Sequence, residues 1–229
     1  MHCAVVVPWR AGCPHRERAW SHVRRLYAEK HPGWGVIEAL GPNGPWSKGS
    51  AVNPVLAEVD AEVVVVADAD VWTEGLETAV YAIVCGATWA MPHQKLHRLT
   101  EDGTEAVLNG EPWGEQPLAQ RAYNGVWGGG IVVGQRDVLL DCPLDPRFRG
   151  WGQDDTSWAL ALTSLHGPGW RGGAPLWHLW HPPQERLTRQ KGSREGWQLH
   201  TRYHRARRNP VAMRELIEEG KEATWASHR

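Results

Sequence analysis

Glu62-Val63-Val64-Val65-Val66-Ala67-Asp68-Ala69-Asp70, EVVVVADAD, is the stretch that decides the fold. An unbroken run of β-branched residues suits a strand buried on both faces. Such strands belong to sheets covered by helices on either side. The run passes directly into two acids one residue apart. Ligands of open α/β sheets sit at the carboxyl ends of the strands, so these acids mark a candidate site.

The flanking segments agree. Residues 4–7 read as a first buried strand, followed by a helix over 15–30 with Ala19, Trp20, Val23, Leu26 and Tyr27 at helical spacing. Residues 36–39 form a second strand. Ser47 caps a helix carrying Val52, Val55, Leu56 and Val59. After the central strand, Thr73 caps a helix with Leu76, Val80, Ile83 and Val84 on one face, and 87–91 is a further strand. Strand–helix alternation over about 90 residues predicts a parallel α/β sheet. Residues 92–125 are polar, rich in Gly and Pro, and read as a long functional loop. Gly128-Gly129-Gly130 leads into a strand at 131–133, and a short helix covers 137–140. Asp154 or Asp155 opens a helix through 165. A strand over 176–180 ends at His181, and Asn209-Pro210 starts a last helix over 210–222.

Composition limits the function classes. The 229 residues suffice for one sizeable core. No apolar run approaches the ~20 residues of a membrane span. The start, MHCAVVVPWR, lacks a basic region and a long apolar core, so no secretory signal is expected. Cys3, Cys13, Cys85 and Cys142 show no CxxC spacing and are expected as reduced thiols in a cytosolic protein. Fifteen Trp against one Phe, and few Lys beside many Arg, match a GC-rich coding sequence, so Trp is expected to fill much of the aromatic core. Charge is uneven: residues 1–181 carry 14 basic and 20 acidic side chains, residues 182–229 carry 11 and 6. Arg202, Arg205, Arg207 and Arg208 cluster in the basic part, as a solvated helix face or as a polyanion contact.

Three groups carry chemistry. Asp68 and Asp70, at the end of a buried strand, are costly to leave uncompensated. A divalent cation with a diphosphate resolves that cost, and oxygen ligands suit Mn²⁺ or Mg²⁺. In His178-Leu179-Trp180-His181, strand periodicity points the two imidazoles to opposite faces unless the chain bends between them. His181, before Pro182, is the preferred ligand, and His178 reads as a core residue or as support behind it. In Gly150-Trp151-Gly152-Gln153-Asp154-Asp155, small residues allow a ligand near the backbone and Trp151 offers a flat face for a sugar. The acids are either a general base or simple helix-capping carboxylates.

Together these segments resemble the GT-A fold, nucleotide-sugar-dependent glycosyltransferases, in particular the β-1,4-galactosyltransferase-like group and its bacterial and phage relatives. The resemblance runs from Val5 to about Pro183. VVVPWR, with Pro8, Arg10 and Arg16, resembles the family's nucleotide-holding PFRxR segment, here with residues 11–15 inserted. Trp46-Ser47-Lys48 through Asn53 resembles FNRxxLLN beside the donor. VADADVW resembles the metal motif whose second acid contacts the ion, here Asp70. Tyr123 through Gly129 and Gly130 resembles the glycine-rich donor–acceptor junction. FRGWGQDD resembles GWGGEDD, which implies Asp155 as catalytic base and Asp154 in the place of an acceptor-binding Glu. HLWH resembles MxxH, which makes His178 a ligand as well as His181.

The resemblance implies an α/β, GT-A (Rossmann-like) domain over 1–183 with a mixed, mainly parallel central sheet, and a basic helical extension over 184–229 packed on or flanking it. It implies an enzyme that moves a sugar from a UDP-sugar to an acceptor hydroxyl with inversion, using Mn²⁺ or Mg²⁺. Asp68 then binds ribose or donor sugar, Arg10 and Lys48 add positive charge near the diphosphate, and Trp151, Gly152 and Tyr123 face the acceptor. The acceptor options are a hydroxymethylated DNA base, a protein or a saccharide, in a bacterial or phage-infected cytosol. Two other classes compete: a carbohydrate-binding protein without catalysis, and a nucleotidyltransferase or metal-dependent phosphohydrolase.

Overall fold

A computed structural model describes residues 2–183 and 192–226. The elements in chain order are β1 Cys3–Trp9, α1 Pro14–Lys30, β2 Gly35–Leu40, α2 Lys48–Glu58, β3 Val63–Ala67, β4 Val71–Trp72 and α3 Leu76–Val84. There follow β5 Trp89–Arg98, α4 Glu101–Leu108, a 3₁₀ turn Trp113–Glu115, β6 Tyr123–Asn124, β7 Ile131–Gln135 and α5 Arg136–Asp141. The chain then forms α6 Asp154–His166, β8 Trp170–His178, α7 Arg194–Ala206 and α8 Pro210–Ala226. Among the described residues, no helix is long and apolar enough to cross a membrane.

The strands make one mixed sheet in the order β2-β1-β3-β7-β5-β8-β4, with β6 added to β5. β1 pairs parallel with β2 and β3, whereas β7 runs antiparallel between β3 and β5. Every residue of β3 is buried, because both faces are covered. Val64 and Val66 enter one core with residues of α2, α5, α6, α7 and α8. Val63, Val65 and Ala67 enter the other, with residues of α1, α3 and α4. The period-2 side-chain alternation of one strand thus feeds two cores.

Several boundaries differ from the sequence expectation. The segment 92–125 is not one loop: it holds seven residues of β5, then α4, the 3₁₀ turn and β6. The strand was masked by polar outward residues and by register shifts around His93 where it pairs with β8. α4 was masked by Gly103, a weak helix former whose missing Cβ leaves room for the Pro117 carbonyl. Thr73 does not cap α3. Gly75 does, and the Thr73 hydroxyl instead accepts from the Gly75 N–H at 3.2 Å. A Cβ at Gly75 would collide with the Pro92 carbonyl. Val84, expected on the inner face, is 56% exposed. The last strand runs from Trp170 and stops at His178, so residues 179–180 lie outside it.

The expected boundary at 183/184 abuts residues 184–191, which lie outside the described residues. Beyond them, α7 and α8 place Tyr203, Met213, Leu216 and Ile217 in the same core as Val64 and Val66. A polar clasp fixes this packing. Buried Asp145 accepts from Arg147 Nη2 at 2.7 Å and from the Tyr203 hydroxyl at 2.9 Å. Arg147 also donates to Glu219 Oε2 at 2.6 Å and to the Leu216 carbonyl at 2.9 Å. Asp145→Ala strands the Arg147 guanidinium and the Tyr203 hydroxyl together. It is expected to cost about 2–4 kcal/mol, read from urea unfolding. Tyr203→Phe removes one bond and is expected to cost about 1 kcal/mol.

Candidate functional site

β3 ends at Ala67, and Asp68 to Asp70 turn the chain into β4. The turn separates the two acids, which serve different neighbourhoods.

Asp70, its side chain only 7% exposed, meets both histidines. Its Oδ2 lies 3.4 Å from His181 Nε2, and its Oδ1 lies 3.9 Å from His178 Nε2. One ligand atom from each of the three residues falls within 4.8 Å of the others. The convergence arises because β8 ends at His178 and the chain bends. The Leu179 N–H donates to the Asp70 carbonyl at 2.9 Å, which pins the bend against the acid's own backbone. Strand periodicity therefore does not govern His181.

Each imidazole turns Nδ1 to a backbone carbonyl at 2.8 Å, His178 to Leu179 and His181 to Pro182. With Nδ1–H donating, both Nε2 lone pairs point into the cluster, an arrangement that orients metal-ligating histidines. Burial lowers the basicity of both rings against the opposing pull of Asp70, which leaves the neutral form that binds metals. Burial alone would raise the Asp70 carboxyl. Interaction with His178, Arg16 and His181 outweighs it and holds the group below the usual range. Arg16 and Arg98, whose Nη1 is 3.2 Å from His178 Nε2, are the permanent charges here. Arg16 Nε is 3.4 Å from Asp70 Oδ2 and its Nη2 is 3.2 Å from His181 Nε2, so it sits on lone pairs that a cation would use. One carboxylate and two imidazoles suit Mn²⁺ well, and the donor set fits a divalent ion if Arg16 and Arg98 yield their contacts with the two Nε2 atoms.

The second neighbourhood centres on Lys48, the first residue of α2 behind its Ser47 cap. Its side chain is 8% exposed, and Nζ lies 2.8 Å from Asp68 Oδ1 and 2.9 Å from Asp155 Oδ1. Burial acts to lower the Lys48 pKa, but Asp155, Asp68 and Asp154 together raise it, so the ammonium stays charged. Burial pushes the Asp155 carboxyl up to about 7, with Asp154 and Asp68 adding to the effect and Lys48 opposing it. Burial likewise raises Asp154.

The loop that delivers these acids is unusual. Gly150 and Gly152 have positive φ, and Gln153, at φ 69°, is the one non-glycine residue so placed among the described residues. This left-handed residue starts α6, so Asp154 and Asp155 occupy its first turn. Gly128, at φ +84°, packs where any Cβ would strike the Asp155 carbonyl. The Gly130 carbonyl accepts from the Asp68 N–H at 2.9 Å. The glycine run thus holds both acids by close backbone approach.

Of the other expected site residues, Asn53 donates to the Leu144 carbonyl at 2.8 Å and braces α2. Pro8 is buried in β1. Arg10 turns onto the 41–46 loop: it donates to the carbonyls of Gly44, at 2.9 Å, and Pro42, and lies over the Trp46 ring at 5.2 Å. The Tyr123 hydroxyl accepts from Arg98 Nε at 2.9 Å, and Arg98 Nη1 is 3.2 Å from His178 Nε2. Trp151, 44% exposed, and Gly152 stand on the loop before Asp155.

Sequence reasoning missed Arg98 and His93, both in the segment read as a loop. His93 is buried beneath Gly125 and Gly130. Burial lowers its pKa to about 4, and Arg171 adds to the shift. Recognition of β5 as a ten-residue strand would have drawn attention to both.

No family model matches the chain, and no curated protein matches it. Among solved structures, it is similar to GalNAc-T7 in complex with UDP, GalNAc and Mn²⁺, with a TM-score of 0.53 and 9% identity over 96% of this chain and 55% of that one. It is also similar to a Drosophila β-1,4-galactosyltransferase 7 mutant with manganese, UDP-Gal and xylobiose, at TM-score 0.48 and 14% identity, covering 83% of this chain and 78% of that one. A third is Mycobacterium tuberculosis glucosyl-3-phosphoglycerate synthase with Mn²⁺, UDP and phosphoglyceric acid, at TM-score 0.49 and 18% identity, covering 91% and 78%. The mixed sheet, its strand order and the likeness to the first of these show that the chain has the GT-A, Rossmann-like α/β fold.

Proposed function

We propose that this protein is a metal-dependent glycosyltransferase that moves a sugar from a UDP-sugar to an acceptor hydroxyl with inversion. The observation that carries the reading is the division of labour across Asp68-Ala69-Asp70. Asp70 faces two neutral imidazoles, while Asp68 shares Lys48 with Asp155. A cation site and a candidate base therefore flank one short turn at the end of the central strand. GalNAc-T7, which has the same fold, is seen with UDP, GalNAc and Mn²⁺.

Asp70, His178 and His181 would hold Mn²⁺ or Mg²⁺. Such an ion, when bound, stabilises negative charge on a departing diphosphate. Lys48 adds a fixed positive charge beside the donor and keeps Asp155 in place. Asp68, with its side chain 35% exposed, is open to ribose or donor-sugar hydroxyls. Gly129 and Gly130 let the donor lie near backbone. The acceptor oxygen attacks the anomeric carbon as its proton passes to an Asp155 carboxylate oxygen. The bond from that carbon to the diphosphate oxygen breaks, and its electron pair leaves with UDP. Attack from the side opposite the leaving group inverts the configuration. A carboxyl with a pKa near 7 suits a base at neutral pH. Trp151, Gly152, Asp154 and Tyr123 border the acceptor side in this reading.

UDP with Mn²⁺ should raise the melting temperature more than either alone. At 100-fold excess over Kd the gain is about 2.7 kcal/mol. Asp70→Asn and His181→Ala should each remove the metal-dependent part, and EDTA should do the same in the wild type. An unchanged metal response in both variants would refute the cation site.

Asp155→Asn should keep donor binding and slow transfer by about 10²–10⁴-fold, measured with radiolabelled donor. Hydrolysis of the donor without transfer to any acceptor would point to a phosphohydrolase instead.

The base must be ionised, so kcat/KM should rise with pH through about 7. Lys48→Met removes the charge that holds the Asp155 pKa down, so the limb should move to higher pH. A limb that stays in place or moves down in Lys48→Met would show that another group titrates.

A further inference from the structure

A second concavity adjoins the candidate base. It has a volume of about 700 Å³ and runs along α6, with Ala159 and Leu160 on one wall and Val126 and Trp127 on another. Arg207 and Arg208 complete it. Trp127 directly precedes the glycine run that packs on the Asp155 carbonyl, and Thr156, next to Asp155, also lines the groove. The groove therefore begins one residue from the candidate base, which is not itself among its lining residues.

Its chemistry is one-sided. No carboxylate is among the described residues that line it. Arg207 and Arg208 lie in the short turn between α7 and α8, where the Asn209 N–H donates to the Ala206 carbonyl at 2.8 Å and Ala206 is buried. Arg207 Nη1 donates to the His204 carbonyl at 2.5 Å, and Arg208 forms no ion pair among the described residues. Two guanidinium groups are thus carried on a fixed turn with no carboxylate among the described residues of the groove to neutralise them. Trp127 is 39% exposed. Arg171 lies over one face of its ring at 4.7 Å and Trp89 meets it at 5.4 Å with the ring planes 68° apart, so the ring is held in place and offers only its remaining exposed surface.

We propose that this groove binds a single strand of nucleic acid that presents the acceptor hydroxyl to Asp155. Bases stack on Trp127 and the apolar wall, and Arg207 and Arg208 take backbone phosphates. A flat aromatic platform beside cations is the pairing that holds single strands. A neutral saccharide uses the platform but leaves the two charges unanswered. The assignment of the hydroxyl as acceptor rests on the glycosyltransferase reading, whereas strand binding itself does not.

The test is fluorescence anisotropy with a labelled 12-nucleotide oligothymidylate, with a salt titration, and with a neutral maltohexaose as competitor. The wild type should bind, and maltohexaose should not displace the strand. Arg208→Gln should reduce the salt slope by about 0.7, the release expected for one phosphate contact on a single strand. Trp127→Ala should weaken binding by roughly tenfold, one stacked base. Because Arg207→Gln removes a bond at the end of α7, Arg208→Gln and Arg208→Lys serve as the decisive pair, with Lys restoring the slope. Absence of oligonucleotide binding, binding indifferent to both Arg208→Gln and Trp127→Ala, or displacement by maltohexaose would overturn the proposal. Melting shifts with UDP and Mn²⁺ are measured on the same samples. Groove-dependent strand binding without a nucleotide shift would retain this site and reject the glycosyltransferase reading. A nucleotide shift without strand binding would do the reverse.

Discussion

The buried Lys48 ammonium is the interaction on which the site's architecture depends. It reaches Asp68 at the end of β3 and Asp155 in the first turn of α6 from the first turn of α2. Three elements that begin or end at the sheet's edge are thereby tied at one atom. The tie does not balance the charge. Four carboxylates, Asp68, Asp70, Asp154 and Asp155, gather around three permanent cations, Lys48, Arg16 and Arg98. Partial ionic compensation in a partly buried site has two outlets. One is to hold on to a proton, and the upward shifts of Asp154 and Asp155 show this. The other is to take up a cation at the remaining carboxylate, and Asp70 is the acid held low, with neutral nitrogen donors around it. One deficit thus divides into a basic carboxylate on one side of Asp68 and a metal-ready one on the other.

What the sequence made legible follows from burial. EVVVVA was readable because a strand covered on both faces cannot tolerate polar residues, and the Ser47 cap was readable because its hydroxyl takes the Ser50 N–H. β5 was hidden because its outer half faces solvent and carries Gln94, Lys95 and Arg98, which erase apolar periodicity. The meeting of His178 with His181 was hidden for another reason. A period-2 argument holds only inside a strand, and β8 ends at His178, three residues before His181. Local sequence does not record that the bend is fixed from outside, by the Asp70 carbonyl.

Tryptophan use shows the same division between packing and exposure. Trp72 and Trp89 are fully buried, and Trp20 and Trp158 nearly so, which accounts for much of the aromatic core in a chain with one Phe. Trp127 and Trp151 are exceptions, and both lie within a few residues of the segments around Asp155. Composition alone could not separate the two groups, because the distinction depends on which loops the sheet leaves uncovered.

The C-terminal helices join these observations. Their sequence reads as a basic helical extension packed on or flanking the domain; Tyr203 and Arg147 close on Asp145, and Met213, Leu216 and Ile217 share a core with β3. The clasp stands between the glycine-rich approach to α6 and the turn that carries Arg207 and Arg208. A helix pair fixed only by surface charges would leave those arginines free to wander. Anchored by a buried carboxylate, they keep a constant position relative to α6, whose first turn holds Asp155. In the proposed reaction the acceptor must arrive opposite the diphosphate, because displacement with inversion requires a line through the anomeric carbon. α6 carries Asp155 in its first turn and lends Thr156, Ala159 and Leu160 to the groove beyond it, so base and groove share one rigid element.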